Sequence, residues 1–324
     1  MKSKYLCIVA VLFMLGFGPL APSTSFAQTY PDRPIQVIIP YAAGSNTDIA
    51  ARMLLLELEK ILGTKIIANN RPGASGVLGT DFVIRGKNDG YTLLYTGSSP
   101  LVIAPIINPE IVHYDPAKDL DPLGLHFFTP VGFNVRSSAP WKTFPEIVEY
   151  GKKNPKKLRI ASSGVGHSTH FMLEVMQAET GVQFTHVPFA GGEAVITAVL
   201  GGHVEGSCDA FSKQIPHMES GKMRPLLVTN KVPAFPNVPT ITEFGYKQDL
   251  PGSWLVVCAP SRIPEDARKV LVPAIEKAVK NTKSKIEEMG GVLAYKSPSE
   301  FRKMWEVEYK QTFEIATKIG LRKP

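Results

Sequence analysis

The stretch Val37–Leu54, VIIPYAAGSNTDIAARML, joins a β-branched apolar run to a helical pattern through a proline and a string of small or polar residues ending at Asp48. The run through Ile39 suits a buried strand, and Pro40 ends it. From Asp48 to Leu62 the spacing predicts a helix with Ile49, Met53, Leu56 and Ile61 as its inner stripe. A strand, a small-residue turn and a helix make the repeating unit of an α/β protein with parallel strands.

The unit recurs outward from this stretch. Strands are predicted over residues 35–39, 65–68, 92–95, 131–135, 159–161, 183–187, 206–209, 224–228 and 254–259, and further helices over 169–180, 193–201, 264–281 and 299–319. Proline-rich stretches at 105–130 and 232–252 interrupt the alternation and argue for two lobes. The division this suggests is 28–128 for the first part of lobe 1, 129–253 for lobe 2 and 254–324 for the second part of lobe 1. Residues 1–27 read as a secretory leader: Lys2 and Lys4, the apolar run from Leu6 to Phe17, then Ser25-Phe26-Ala27 as a cleavage site. The mature chain is therefore expected in the periplasm.

There are 36 Lys and Arg against 29 Asp and Glu. The densest basic cluster (Lys152, Lys153, Lys156, Lys157, Arg159) has no interleaved aromatic residues, so nucleic acid is not an expected partner. A mildly positive field instead favours small anions. Cys208 and Cys258 remain after the leader, either as a pair or as two buried thiols, and their spacing is not that of a zinc site.

Loops leaving the carboxyl ends of parallel strands face the ligand crevice. Four of them share one chemistry. Tyr41 to Asp48 (with Ala43, Gly44, Ser45, Asn46 and Thr47) follows the first strand, and Thr96, Ser98 and Ser99 follow another. Ser163, Gly164, Gly166, His167, Ser168, Thr169 and His170 precede one helix, and Phe189, Ala190 and Gly191 precede the next. Small residues let backbone approach a ligand, while helix amino termini and hydroxyls supply donors. Such a set suits a carboxylate held without an arginine clamp. Helix capping by Asp48 and Thr169 explains part of the same pattern.

Catalysis has weaker support. GHSTH around Ser168 is not the G-x-S-x-G elbow, so an exported serine hydrolase using Ser168 with His167 or His170 stands only as the alternative. His167 and His170, with His186 and Asp209 elsewhere, are the only metal candidates, and no metal or cofactor is expected. No Walker or complete dinucleotide motif is present.

The segments YPDRPIQVIIPYAAGSNTDIAAR, NNRPGASGVLGTDFV, DGYTLL, INPEIVHYDPAKDL, SGVGHSTHFMLEVM, HVPFAGGEAVITAVLGGHVEGSCD and FPNVPTITEFGY, in this order, resemble the Bug-type extracytoplasmic solute receptors of tripartite tricarboxylate transporters. The resemblance covers essentially the whole mature chain. It implies a two-lobed periplasmic-binding-protein-like fold (type II-like), each lobe a mixed, mostly parallel sheet flanked by helices. It also implies a monomer that binds a small carboxylate (organic acid, dicarboxylate, aromatic acid or amino acid), delivers it to a membrane permease or sensor, and has no catalytic residues. Carried over by position, the site comprises Tyr41 to Asp48, Thr96, Ser98, Ser99, Ser163 to His170, Phe189 to Gly191 and Asp209. Ser45, His167 and Ala190 depart from the family's usual glycine, small residue and lysine.

Overall fold

The computed structural model describes residues 30–322; the expected leader lies outside them. Strand β1 (Ile35–Ile39) is followed by α1 (Asn46–Leu62), β2 (Ile66–Asn70), α2 (Val77–Ile84) and β3 (Thr92–Gly97). Short helices α3 (Ala104–Ile107) and α4 (Pro116–Asp119) lead to β4 (Leu120–Thr129) and β5 (Val131–Arg136). Next come α5 (Phe144–Lys153), β6 (Arg159–Ser162), α6 (Ser168–Thr180), β7 (Thr185–Pro188), α7 (Gly192–Leu200), β8 (Gly206–Ala210), α8 (Phe211–Glu219) and β9 (Met223–Val228). The chain ends with β10 (Ser253–Pro260), α9 (Glu265–Asn281), α10 (Lys283–Glu288), β11 (Val292–Lys296) and α11 (Pro298–Lys318).

Among the described residues the strands form a six-stranded sheet, ordered β11-β4-β10-β3-β1-β2, and a five-stranded sheet, ordered β7-β6-β8-β5-β9. The chain passes from the first sheet to the second at Pro130, between β4 and β5, and returns at Ser253 as β10. Both sheets are mixed, but they are not mostly parallel. Parallel pairing is confined to β1 with β2 and β3, and to β6 with β7 and β8. The strands at the two crossings, β4, β5 and β10, pair antiparallel with every neighbour.

Two readings of the sequence are corrected here. The proline-rich stretch 105–130 contains β4, ten residues deep in the first sheet, with Pro122 inside it. Pro122 lies beyond the part of β4 that β11 pairs and beside a register shift against β10, positions that tolerate a residue without an N–H. The inner face of α1 is Ala50, Ala51, Leu54, Leu55 and Leu58, whereas Ile49 and Leu56 are exposed. The run MLLLELEKIL is apolar on two faces, and packing against α9 selects one of them.

One buried cluster runs through both sheets, joining Val131, Phe133 and Phe171 to Trp254, Phe301 and Trp305. Inside the first sheet, buried His126 ties β3 to the end of α9. Its Nε2–H donates to the Thr282 hydroxyl at 2.9 Å, because that hydroxyl donates onward to the Val279 carbonyl. Its Nδ1 therefore accepts from the Tyr95 hydroxyl at 2.7 Å. Burial lowers this imidazole to about 3, so it stays neutral.

Candidate functional site

A cavity of about 470 Å³ lies between the two sheets, with walls from both. The first sheet contributes Tyr41, Ala42, Ser45, Asn46 and Thr47 after β1, and Pro72 to Gly76 after β2. The second contributes Ser163, Gly164, His167, Ser168 and Thr169 before α6, Phe189 to Gly192 before α7, and Asp209 at the end of β8. Thr129, Val131, Ser253 and Leu255, at the two crossings, form part of the wall.

Several predicted site residues stand behind the wall, not in it. Ser45, which is itself in the wall, caps α1 by accepting from the Asp48 N–H at 3.2 Å. The Asp48 carboxylate turns inward to the Gly44 N–H (2.8 Å), Arg52 (3.0 Å) and Asn70 (2.9 Å). Burial alone would raise this carboxyl, but those hydrogen bonds outweigh it and hold Asp48 below the usual range. Asp48 thus shapes the loop, and Gly44, at φ 76°, supplies its turn. Ala43 is likewise absent from the wall.

Thr96, Ser98 and Ser99 are buried behind Tyr41. Burial pushes the Tyr41 phenol up to about 12, with Thr96, Gly97 and Ser99 partly offsetting it. Ser98 meets the Ser253 hydroxyl at 3.3 Å.

The α6 loop is held by its own side chains. The Ser163 N–H donates to Thr169 Oγ1 at 3.2 Å, and the Ser163 hydroxyl donates to Asp209 Oδ1 at 2.5 Å. His167 occupies the N-cap of α6 without capping it, and Gly191 precedes α7 without a side-chain cap. Both helices therefore present unpaired amide donors and the positive ends of their dipoles at the cavity. Burial lowers His167 to about 4, so a neutral imidazole stands edge-on to Tyr41 with ring centroids 5.9 Å apart.

His170 leaves the wall to stack on His186 at 4.3 Å, and its Nδ1 accepts from the Gly166 N–H at 3.4 Å. His167, His170, His186 and Asp209 thus do not converge. Among the described residues no group of three or more His, Cys, Asp or Glu is placed to hold a metal. The serine that bonds a histidine is Ser162, to His186 at 2.6 Å, and it is fully buried. The dyad required by the hydrolase alternative is not formed at Ser168, whose N–H instead donates to Ser99 Oγ across the lobes. Cys208 and Cys258 are free and buried, and burial raises both thiols.

Sequence reasoning missed the Pro72–Gly76 turn, Lys213 and the strand residues at the crossings. The turn had the same signal as the other loops, small residues directly after a strand. It carries two non-glycine residues at positive φ, Ala74 at 48° and Ser75 at 53°, and such strain concentrates at functional sites. Ser75 Oγ reaches across to donate to the Val165 carbonyl at 2.8 Å. A second cavity, about 460 Å³, lies between α11 and the 105–117 region. Three of its polar side chains are already engaged: Tyr114 with the Pro100 carbonyl, Trp305 with the Leu101 carbonyl, and Arg302 with Ala117, Leu120 and Asp121.

Comparison with known proteins agrees with this geometry. The BugT protein of Bordetella pertussis is 32% identical over 263 residues, covering 80% of this chain and 80% of that protein. The solved periplasmic binding protein BugD superposes with a TM-score of 0.82 at 28% identity, over 91% of this chain and 100% of that one. An R. palustris protein solved with adipate gives a TM-score of 0.82 at 26% identity, over 90% and 98%. Residues 50–321 match the model of the tripartite tricarboxylate transporter family receptor. The chain belongs to that receptor family.

Proposed function

We propose that the protein is a periplasmic receptor that closes its two lobes on a small carboxylate and delivers it, as a monomer and without chemistry, to a membrane permease or sensor. The lobes are taken as 28–128 with 254–324, and 129–253. One observation carries the reading: two uncapped helix amino termini, α6 and α7, open into a cavity walled by facing small-residue loops. An anion there gains the dipole ends and the first-turn amide donors, save that of Ser168, which Ser99 uses. The adipate held by the R. palustris relative is an acid of the expected kind.

A thermal-shift and calorimetric screen of mono- and dicarboxylates tests the proposal. A true ligand at about 100 times its Kd adds about 2.7 kcal/mol of stability. If every acid leaves the protein unstabilised at saturating concentration, the receptor reading fails.

A further inference from the structure

We infer that Asp209 makes this pocket selective for acids that carry a hydrogen-bond donor, an ammonium or a hydroxyl, in addition to the carboxylate. This rests on the receptor reading above and specifies the ligand that the cavity takes.

Asp209 is 2% exposed and stands in the cavity wall at the end of β8. Its two oxygens are in different positions. Oδ1 accepts from the Ser163 hydroxyl at 2.5 Å, whereas Oδ2 has no hydrogen-bond partner. Oδ2 also lies so close to Gly192 that a Cβ there would sit 2.5 Å from it, so the α7 turn is shaped around this oxygen. The neighbouring cation does not complete it: Lys213 Nζ donates to Glu193 Oε1 at 2.6 Å.

A buried carboxylate oxygen left unpaired is costly, and an approaching plain carboxylate would meet it as a like charge. Burial is the main influence raising the Asp209 carboxyl, and it outweighs the lowering by the Ser163 hydroxyl, the Ala210 N–H and the Lys213 charge. A second atom repeats the pattern. Thr129 Oγ1, buried in the same wall, has no partner either. The wall therefore has two sides: amide donors at α6 and α7 for the ligand's carboxylate, and the unpaired Asp209 oxygen for an N–H or O–H, with the Thr129 hydroxyl free to accept or to donate.

The test uses matched triplets titrated by calorimetry at pH 7.5. Four-, five- and six-carbon diacids and an aromatic monoacid are each offered in 2-amino, 2-hydroxy and unsubstituted form. For the skeleton that binds, a donor-bearing form is expected to bind about 10- to 100-fold more tightly than the unsubstituted acid, the range of one hydrogen bond to a charged group. Tightest binding by the amino form assigns an ammonium; tightest binding by the hydroxy form assigns a hydroxyl. In Asp209→Asn that ratio should fall to about threefold or less.

Unsubstituted acids binding natively as well as their substituted forms overturns the inference, and this comparison needs no variant. An equal loss for all three forms in Asp209→Asn also overturns it, because Asp209 would then only brace Ser163. Binding by no acid of any set overturns the receptor reading as well.

Discussion

Trp254→Ala is expected to destabilise the protein by about 3–5 kcal/mol, the usual cost of emptying a large buried aromatic site. Trp254 is 2% exposed at the start of β10, edge-on to Phe301 with centroids 4.9 Å apart, and its Nε1–H donates to Glu308 Oε2 at 2.6 Å. Alanine would leave a cavity between β10 and α11 and a buried carboxyl without its donor. Strand alternation extends the effect to the site, because Ser253 and Leu255, on either side of Trp254, stand in the ligand cavity wall. Urea unfolding should show the loss. The carboxylate that binds the native protein should bind the variant more weakly. A stability change under about 1 kcal/mol would mean that α11 collapses onto the gap.

Glu308→Gln should act in the opposite direction, with an effect that grows as pH rises from 4.5 and levels off above about 7. Burial raises the Glu308 carboxyl from 4.5 to about 7, against a smaller lowering by the Trp254 N–H. The folded protein therefore holds a proton that the unfolded chain has released. Stability from this group is present below the ordinary value of 4.5 and falls as pH rises through about 7. Glutamine keeps an acceptor for Trp254 and carries no charge. At pH 8 the variant should be more stable by about 2–3 kcal/mol, with the advantage shrinking towards zero near pH 4. Unfolding at a series of pH values checks this. A pH-independent difference would mean that the carboxyl ionises without cost in the native protein.

The legible parts of this protein are those where local chemistry and tertiary position agree. The β-branched run before Pro40, Ser45 ahead of α1, and glycines before α6 and α7 all mark strand ends that turn towards one cavity. Local pattern loses its meaning where the chain changes sheets. Pro122 reads as punctuation, yet it is accommodated inside β4 by a register shift. Thr129, Val131, Ser253 and Leu255 read as ordinary strand residues, and their access to a ligand arises only because β4, β5 and β10 cross between lobes. Asp48 and Asp209 are both carboxylates beside glycine-rich turns. Arg52, one turn further along α1, and Asn70, on β2, consume the first, while the second keeps a free oxygen. The i, i+4 spacing of Asp48 and Arg52 is legible in the sequence, whereas the reach of Asn70 from β2 is not.

Besides the shared buried cluster and the edge-on contact of Tyr41 with His167, the hydrogen bonds across the cleft among the described residues are neutral: Ser75 to the Val165 carbonyl, the Ser168 N–H to Ser99, and Ser212 to Asn46 at 3.1 Å. Each is worth about 0.5–1.5 kcal/mol, so these hydrogen bonds together add only a few kcal/mol to the packing that joins the lobes. Being uncharged, these hydrogen bonds are indifferent to ionic strength, so salt should leave the facing of the two loops across the cavity unchanged.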